Sequence, residues 1–203
     1  MNLSASGTVL VTLLVATLCY AIGGINPATI IGRARGVDVA RVGSGNPGAT
    51  NLGRAAGRKW GVIVGVLDVL KGWVPTFVVL RTLGTWVALF AGVACVLGHI
   101  YSPYLGGRGG KGVATSLGAI LALVPWVALI AVAVFAAALP FVERLGNASV
   151  VAAMFLLGAG GWLVVRADTP VDRGVGVWLL LVSLIVLARH HRNIATWAGR
   201  LSS

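Results

Sequence analysis

Residues 8–31 read TVLVTLLVATLCYAIGGINPATII, twenty-four consecutive positions without a charged side chain. Wound as a helix at 1.5 Å per residue, such a run reaches about 36 Å, more than the roughly 30 Å of hydrocarbon in a bilayer. A cleaved signal peptide is not expected, because the first seven residues lack the basic n-region and the apolar run is too long. The run is read as a retained first transmembrane helix, Thr8 to Ile31. Asn26 and Pro27 end or kink it near the interface, since proline lacks an N–H and crowds the preceding turn.

The rest of the 203-residue chain repeats the signal. Hydrophobic residues make up 58% and charged residues 10%, against about 25% charged in soluble domains; the mean hydropathy is +0.94. Further apolar runs cover Trp60–Leu80, Thr85–Tyr101, Val113–Val124, Trp126–Phe141, Ala148–Val165 and Gly174–Ala188. The fourth, Val113–Val124, is only about 18 Å long, so it crosses only where the bilayer thins or the neighbouring loop dips inward. The expectation is an all-α polytopic membrane protein, a single domain over residues 1–203, with about seven transmembrane helices. Seven crossings put the termini on opposite sides. Twelve of the sixteen Lys and Arg then share one side, Arg81, Arg166 and Arg173 take the other, and Lys71 lies inside the second helix. The positive-inside rule places the amino end outside and the carboxyl end in the cytoplasm. Cys19 and Cys95 sit in apolar runs and read as small core residues.

The formal net charge is +11. With no soluble domain to present a basic face, nucleic acid is not expected as a partner; phosphorylated small molecules and lipid headgroups are. Three polar patches fall on the cytoplasmic side in this topology. In the first, GSGNPGATNLGR (Gly43–Arg54), the glycines turn backbone N–H groups toward an anion, notably Gly45 and Gly48. Ser44, Asn46, Thr50 and Asn51 add short hydrogen-bonding groups, and Arg54 offers a guanidinium clamp. A flexible interfacial loop touching headgroups would have the same composition. The G-x-G-x-x-G spacing within it is no dinucleotide fingerprint, because no strand precedes it.

The second patch, Gly98–Thr115, carries His99, Arg108, Gly109, Gly110 and Lys111 ahead of a new helix. It fails the Walker A pattern, with Leu105 at the first glycine and Gly112 at the Ser/Thr, so nucleotide hydrolysis is not expected. An anion-binding corner at a helix start is favoured over a plain reverse turn. The third patch is the tail, Arg189–Arg200, with His190 and Asn193. Asp68 and Lys71 lie three apart on one face of the second helix, where opposite charges neutralise each other or serve a site. His99, His190 and His191 have no supporting carboxylate cluster, so neither a metal nor a covalent protein nucleophile is expected, and no cofactor.

These motifs resemble those of the bacterial acyl-phosphate:glycerol-3-phosphate acyltransferase family. The resemblance runs through GSGNPGATNLGR, Gly98–His99, GGKGVAT (Gly109–Thr115), Arg189–His190 with Asn193–Ile194, and the trio Asp68, Lys71, Gly72. The chain departs from the pattern at Ala40, Pro47, Ser102–Pro103, Gly106–Gly107 and Thr196. The resemblance implies a multi-pass protein of the bacterial inner membrane with its active site on the cytoplasmic face. It further implies acyl transfer from acyl-phosphate to glycerol 3-phosphate in phospholipid biosynthesis, beside membrane lipid. Ser44, Arg54, Lys111 and Asn193 would bind and position phosphate, with His99, Arg108 and the backbone amides of Gly45, Gly48, Gly109 and Gly110 lining the same pocket. His190, with His99 behind it, would take or relay the hydroxyl proton unless the substrate phosphate itself serves as the base, and Asp68 and Lys71 would stand behind the reacting groups. Two other readings stay open: a relative whose altered tail has changed or lost the reaction, and a small transporter or binder of phosphorylated metabolites.

Overall fold

A computed structural model describes residues 4–201, with only the backbone at Arg200 and Leu201. The Arg200 side chain, one of the twelve cations assigned to the inner side, therefore lies outside the described residues. The chain divides into two compact units, Met1–Leu123 and Val124–Ser203. Among the described residues the regular structure is all helical.

The first unit holds α1 (Ala5–Gly24), α2 (Pro27–Ala34), α3 (Ala49–Ala56), α4 (Arg58–Leu83), α5 (Thr85–Ile100) and α6 (Val113–Leu123). The interruption expected at Asn26–Pro27 is a true restart. Asn26 caps α2 by accepting from the Thr29 N–H, and Pro27 occupies the first helical position, where a missing N–H is harmless. Glycines let the helices meet backbone to backbone. A Cβ on Gly23 would overlap the Cys95 carbonyl, and one on Gly98 the Tyr20 carbonyl, which sets the α1–α5 approach. Gly72 against the Thr115 carbonyl and Gly118 against the Val69 carbonyl do the same for α4 and α6. Small residues at crossings are how helices associate where lipid supplies no hydrophobic drive. Cys19 and Cys95, both free, lie in a buried cluster with Val79, Val87, Ala88, Ala91 and Ala94. Ala28, Val39, Leu52 and Val64 form a second cluster under α2, α3 and α4.

The second unit holds α7 (Pro125–Ala138), α8 (Leu145–Arg166), α9 (Pro170–Arg189) and α10 (His191–Leu201). Pro125 opens α7, as its place between the two short apolar runs implies. In α8 and α9, Gly160 and Gly176 face each other so closely that a Cβ on either would stand 2.9 Å from the other's carbonyl oxygen.

Among the described residues, five helices are long and apolar enough to cross a membrane: Ala5–Ala34 counted through its break, Arg58–Leu83, Thr85–Leu105, Leu145–Arg166 and Pro170–Arg189. The expected fourth and fifth crossings correspond to the shorter apolar helices Val113–Leu123 and Pro125–Phe141. Leu13, Phe90 and Leu129 are 61%, 58% and 65% exposed, which is costly in water and ordinary against lipid. The chain is a multi-pass integral membrane protein. Three elements differ from the sequence reading: α2 extends past the first apolar run, α3 rises from the polar loop, and the basic tail is helical.

Candidate functional site

The first glycine loop is organised by Asn51, which lies at the start of α3 and is 3% exposed. Its Nδ2 donates to the carbonyls of Val39 and Val42, each at 3.0 Å. Its Oδ1 accepts from the Ser44 N–H at 3.1 Å. Expected as a phosphate ligand, Asn51 is instead a clasp holding three backbone groups of the loop. The Asn46 N–H donates to Ser44 Oγ at 3.4 Å. Ser44, Thr50 and Arg54 are exposed. Of the neighbouring cations, Arg41 pairs with Asp38 at 3.1 Å and the Arg35 guanidinium lies 5.2 Å from the centre of the Trp60 ring.

The second loop leaves α5, makes a short 3-10 turn at Pro103–Leu105 and enters α6. Its glycine run folds back on the end of α5: the Gly109 N–H donates to the Ile100 carbonyl at 2.9 Å, and the Gly110 N–H to the His99 carbonyl at 3.0 Å. A Cβ on Gly109 would strike the His99 carbonyl, and one on Gly110 the His99 ring at Nε2. In the first loop the Gly45 N–H donates to the Val42 carbonyl at 3.0 Å and the Gly48 N–H to the Asn46 carbonyl at 2.9 Å. All four amides expected to face an anion thus point at protein carbonyls. The helix-start corner itself is present. Gly112 accepts from the Ser116 N–H at 2.8 Å, Lys111 is partly buried just ahead of α6, and Arg108 is exposed. Within the first turn of α6, the hydroxyls of Thr115 and Ser116 are buried without a hydrogen-bond partner.

His99 is 4% exposed. Its Nδ1 lies 3.4 Å from Asp68 Oδ1, and Lys71 Nζ lies 2.9 Å from the same oxygen. Lys71 also donates to the Ile25 carbonyl at 2.6 Å. Asp68, Lys71, His99 and Gly110 are therefore one cluster, as the spacing of Asp68 and Lys71 could suggest but could not extend to His99. The Nε2 edge of the His99 ring faces Gly110.

In the second unit His190 ends α9 and is 1% exposed. Its Nδ1 lies 2.8 Å from the Val186 carbonyl. A carbonyl cannot donate, so the proton of the neutral ring sits on Nδ1 and Nε2 is the basic nitrogen. Asn193, in the first turn of α10, donates from Nδ2 to Asn147 Oδ1 at 3.4 Å. It packs so tightly on Gly146 that a Cβ there would overlap its amide. Asn147 also lines a small cavity of about 180 Å³ with Glu143, Arg144, Thr196 and Trp197.

Against known proteins, residues 13–199 match the family model described as glycerol-3-phosphate acyltransferase. The chain belongs to the glycerol-3-phosphate acyltransferase family. A glycerol-3-phosphate acyltransferase of Aquifex aeolicus is 38% identical over 188 residues, covering 90% of this chain and 93% of the relative. Glycerol-3-phosphate acyltransferase 1 of Deinococcus radiodurans is 41% identical over 189 residues, covering 91% of each. The fold matches the crystal structure of PlsY (YgiH), an integral membrane glycerol 3-phosphate acyltransferase, in its glycerol 3-phosphate form. The TM-score is 0.83 at 38% identity, with 93% of both chains covered. The lysophosphatidic acid form of that protein matches with a TM-score of 0.81.

For a member of this family, three residues of this chain were missed as organisers. Ser102 and Asn26 are buried polar groups, Asn26 inside an otherwise apolar run directly ahead of a proline. Asn147 is a polar position in the first turn of an apolar helix. Those placements are the signals that could have found them.

Proposed function

We propose that this protein transfers an acyl group from acyl-phosphate to the sn-1 hydroxyl of glycerol 3-phosphate. The products are 1-acyl-glycerol 3-phosphate (lysophosphatidate) and inorganic phosphate, in phospholipid biosynthesis. The reading places the 203-residue chain as one domain in the bacterial inner membrane, seven times crossing, with its reacting groups on the cytoplasmic face. Family membership across residues 13–199 carries it.

The acceptor hydroxyl attacks the acyl carbonyl, the bond from that carbon to the phosphate oxygen breaks, and phosphate departs with its electron pair. The mixed anhydride is already activated, so orientation and charge stabilisation suffice without a protein nucleophile. Ser44 on the first loop and Thr50 and Arg54 on α3 are assigned to phosphate, as are Arg108 and Lys111 on the second loop and Asn193 in α10. The orphan hydroxyls of Thr115 and Ser116 and the start of α6 support the assignment of Lys111, because a helix N-terminus favours negative charge. His190 Nε2 is assigned to the hydroxyl proton. Asn51, His99, Asp68, Lys71 and the loop glycines shape the groups that touch substrate. The acyl chain remains among lipid, since each CH₂ moved into water costs about 0.8 kcal/mol.

The test is phosphate release by purified, reconstituted protein given acyl-phosphate, with and without glycerol 3-phosphate. Release that requires the acceptor and yields lysophosphatidate supports the reading. Arg54→Ala and Lys111→Ala should each lower turnover about a hundred-fold, the scale of one lost transition-state contact. Uptake of glycerol 3-phosphate into vesicles without chemistry would replace the enzyme with a transporter.

A further inference from the structure

Three successive residues at the α1–α2 break each hold a different segment of the first unit. The Gly24 carbonyl accepts from Ser102 Oγ at 2.7 Å, and Ser102 is fully buried at the head of the second glycine loop. The Ile25 carbonyl accepts from Lys71 Nζ, whose ammonium continues to Asp68 and so to His99. Asn26, 5% exposed, donates from Nδ2 to the Pro47 carbonyl of the first glycine loop at 2.9 Å. A helix end leaves backbone carbonyls without helical donors, and a helix start leaves N–H groups without acceptors. Inside a membrane such groups must be paired. Here the pairing comes from both loops and from the buried ion pair.

We propose that this break is the common anchor of the two glycine loops and that Asn26 is the positioning residue for the first. Capping α2 requires only Oδ1, which accepts from the Thr29 N–H at 2.8 Å. Aspartate or serine would cap as well. The amide donor of Asn26 is surplus to the cap, and it is the atom that reaches Pro47, three residues after Ser44 and ahead of the helix that carries Arg54. The inference rests on the reading of Ser44 and Arg54 as phosphate-holding groups.

Asn26→Asp and Asn26→Ser both keep a capping oxygen and remove the amide, and the serine adds no buried charge. Hydrogen exchange on the full reconstituted chain should quicken about ten-fold at the amides of Ser44, Gly45 and Gly48 while Ala88 to Ala94 stay protected. With either variant kcat/KM should fall about ten-fold, mainly through a higher KM for glycerol 3-phosphate. Val79→Ala, which hollows the cluster between α1, α4 and α5, should lower thermal stability without moving loop exchange or KM. Unchanged loop exchange in both Asn26 variants would overturn the anchor. Faster exchange with unchanged kcat/KM would overturn the positioning role. Wild-type protein without acyl transfer would instead sink the proposed function, and exchange alone would then judge the anchor.

Discussion

Replacing Lys71 with methionine isolates the energetics of the buried cluster. The Lys71 and Asp68 side chains are 8% and 4% exposed and 2.9 Å apart. Methionine matches the length and apolar stem of lysine but carries no ammonium. The variant leaves Asp68 with His99, at 3.4 Å, as its remaining cationic candidate, and leaves the Ile25 carbonyl without the 2.6 Å donor. Breaking one side of a buried ion pair costs about 3–5 kcal/mol, because the surviving charge is desolvated without compensation. Domain stabilities run about 5–15 kcal/mol, so Lys71→Met should remove roughly a fifth of the total or more.

The decisive comparison is the double variant Asp68→Leu with Lys71→Met. A charge pair replaced by apolar side chains of similar size is often neutral or stabilising, since no charge remains to be desolvated. The double variant should therefore be more stable than Lys71→Met alone, by about 2–4 kcal/mol. Its activity should stay low, because the ties to Ile25 and His99 are gone. Denaturant unfolding in mixed micelles, followed by tryptophan fluorescence, measures all three proteins. A loss below about 1 kcal/mol for Lys71→Met would refute the reasoning, as would a double variant no more stable than Lys71→Met.

Asn51→Ala removes three hydrogen bonds at about 0.5–1.5 kcal/mol each, so stability should fall by about 2–4 kcal/mol in the same unfolding assay. Wild-type stability with only a raised KM for glycerol 3-phosphate would return Asn51 to the phosphate ligands. Gly110→Ala drives a methyl into the His99 ring, and should lower kcat/KM at least ten-fold and stability by about 1–3 kcal/mol. Gly107→Ala, with open space around it and φ at +77°, should lose about 1 kcal/mol of backbone strain energy and keep wild-type kinetics. Equal kinetics for the two glycine variants would show that the His99–Gly110 contact does not shape the site.

The helices were legible because their signal is compositional. Twenty-four uncharged residues from Thr8 to Ile31 announce a span whatever surrounds them, and Pro27 and Pro125 announce restarts because a missing N–H is a local fact. The short helices α3 and α10 were not legible as helices. Each is amphipathic and polar on one side, and α3 is held by Asn51 and by Leu52 in the cluster with Val39 and Val64, contacts that no local pattern displays. The ion pair was legible from the three-residue spacing of Asp68 and Lys71. Its extensions to Ile25, 46 residues away along the chain, and to His99 were not.

The glycine loops show where sequence logic changes meaning in three dimensions. Glycine tells that backbone can come close to something, and an anion was the natural candidate beside so many cations. In the folded chain that something is the chain itself: the Gly109 and Gly110 amides close the carbonyl end of α5, and both residues lack side chains because His99 occupies the space. The two readings are reconciled if the glycines build the rigid floor and the cationic side chains do the holding. A floor of closed backbone hydrogen bonds also explains the buried Asn26, Ser102 and Lys71. Each pairs a carbonyl beside the floor, so the exposed Ser44 and Arg54 and the partly buried Lys111 are presented from a backbone with few loose ends. Under the proposed function, phosphate would then be recognised by side chains whose placement is fixed several bonds away, and buried amides and hydroxyls at the α1–α2 break would bear on a reaction they never touch.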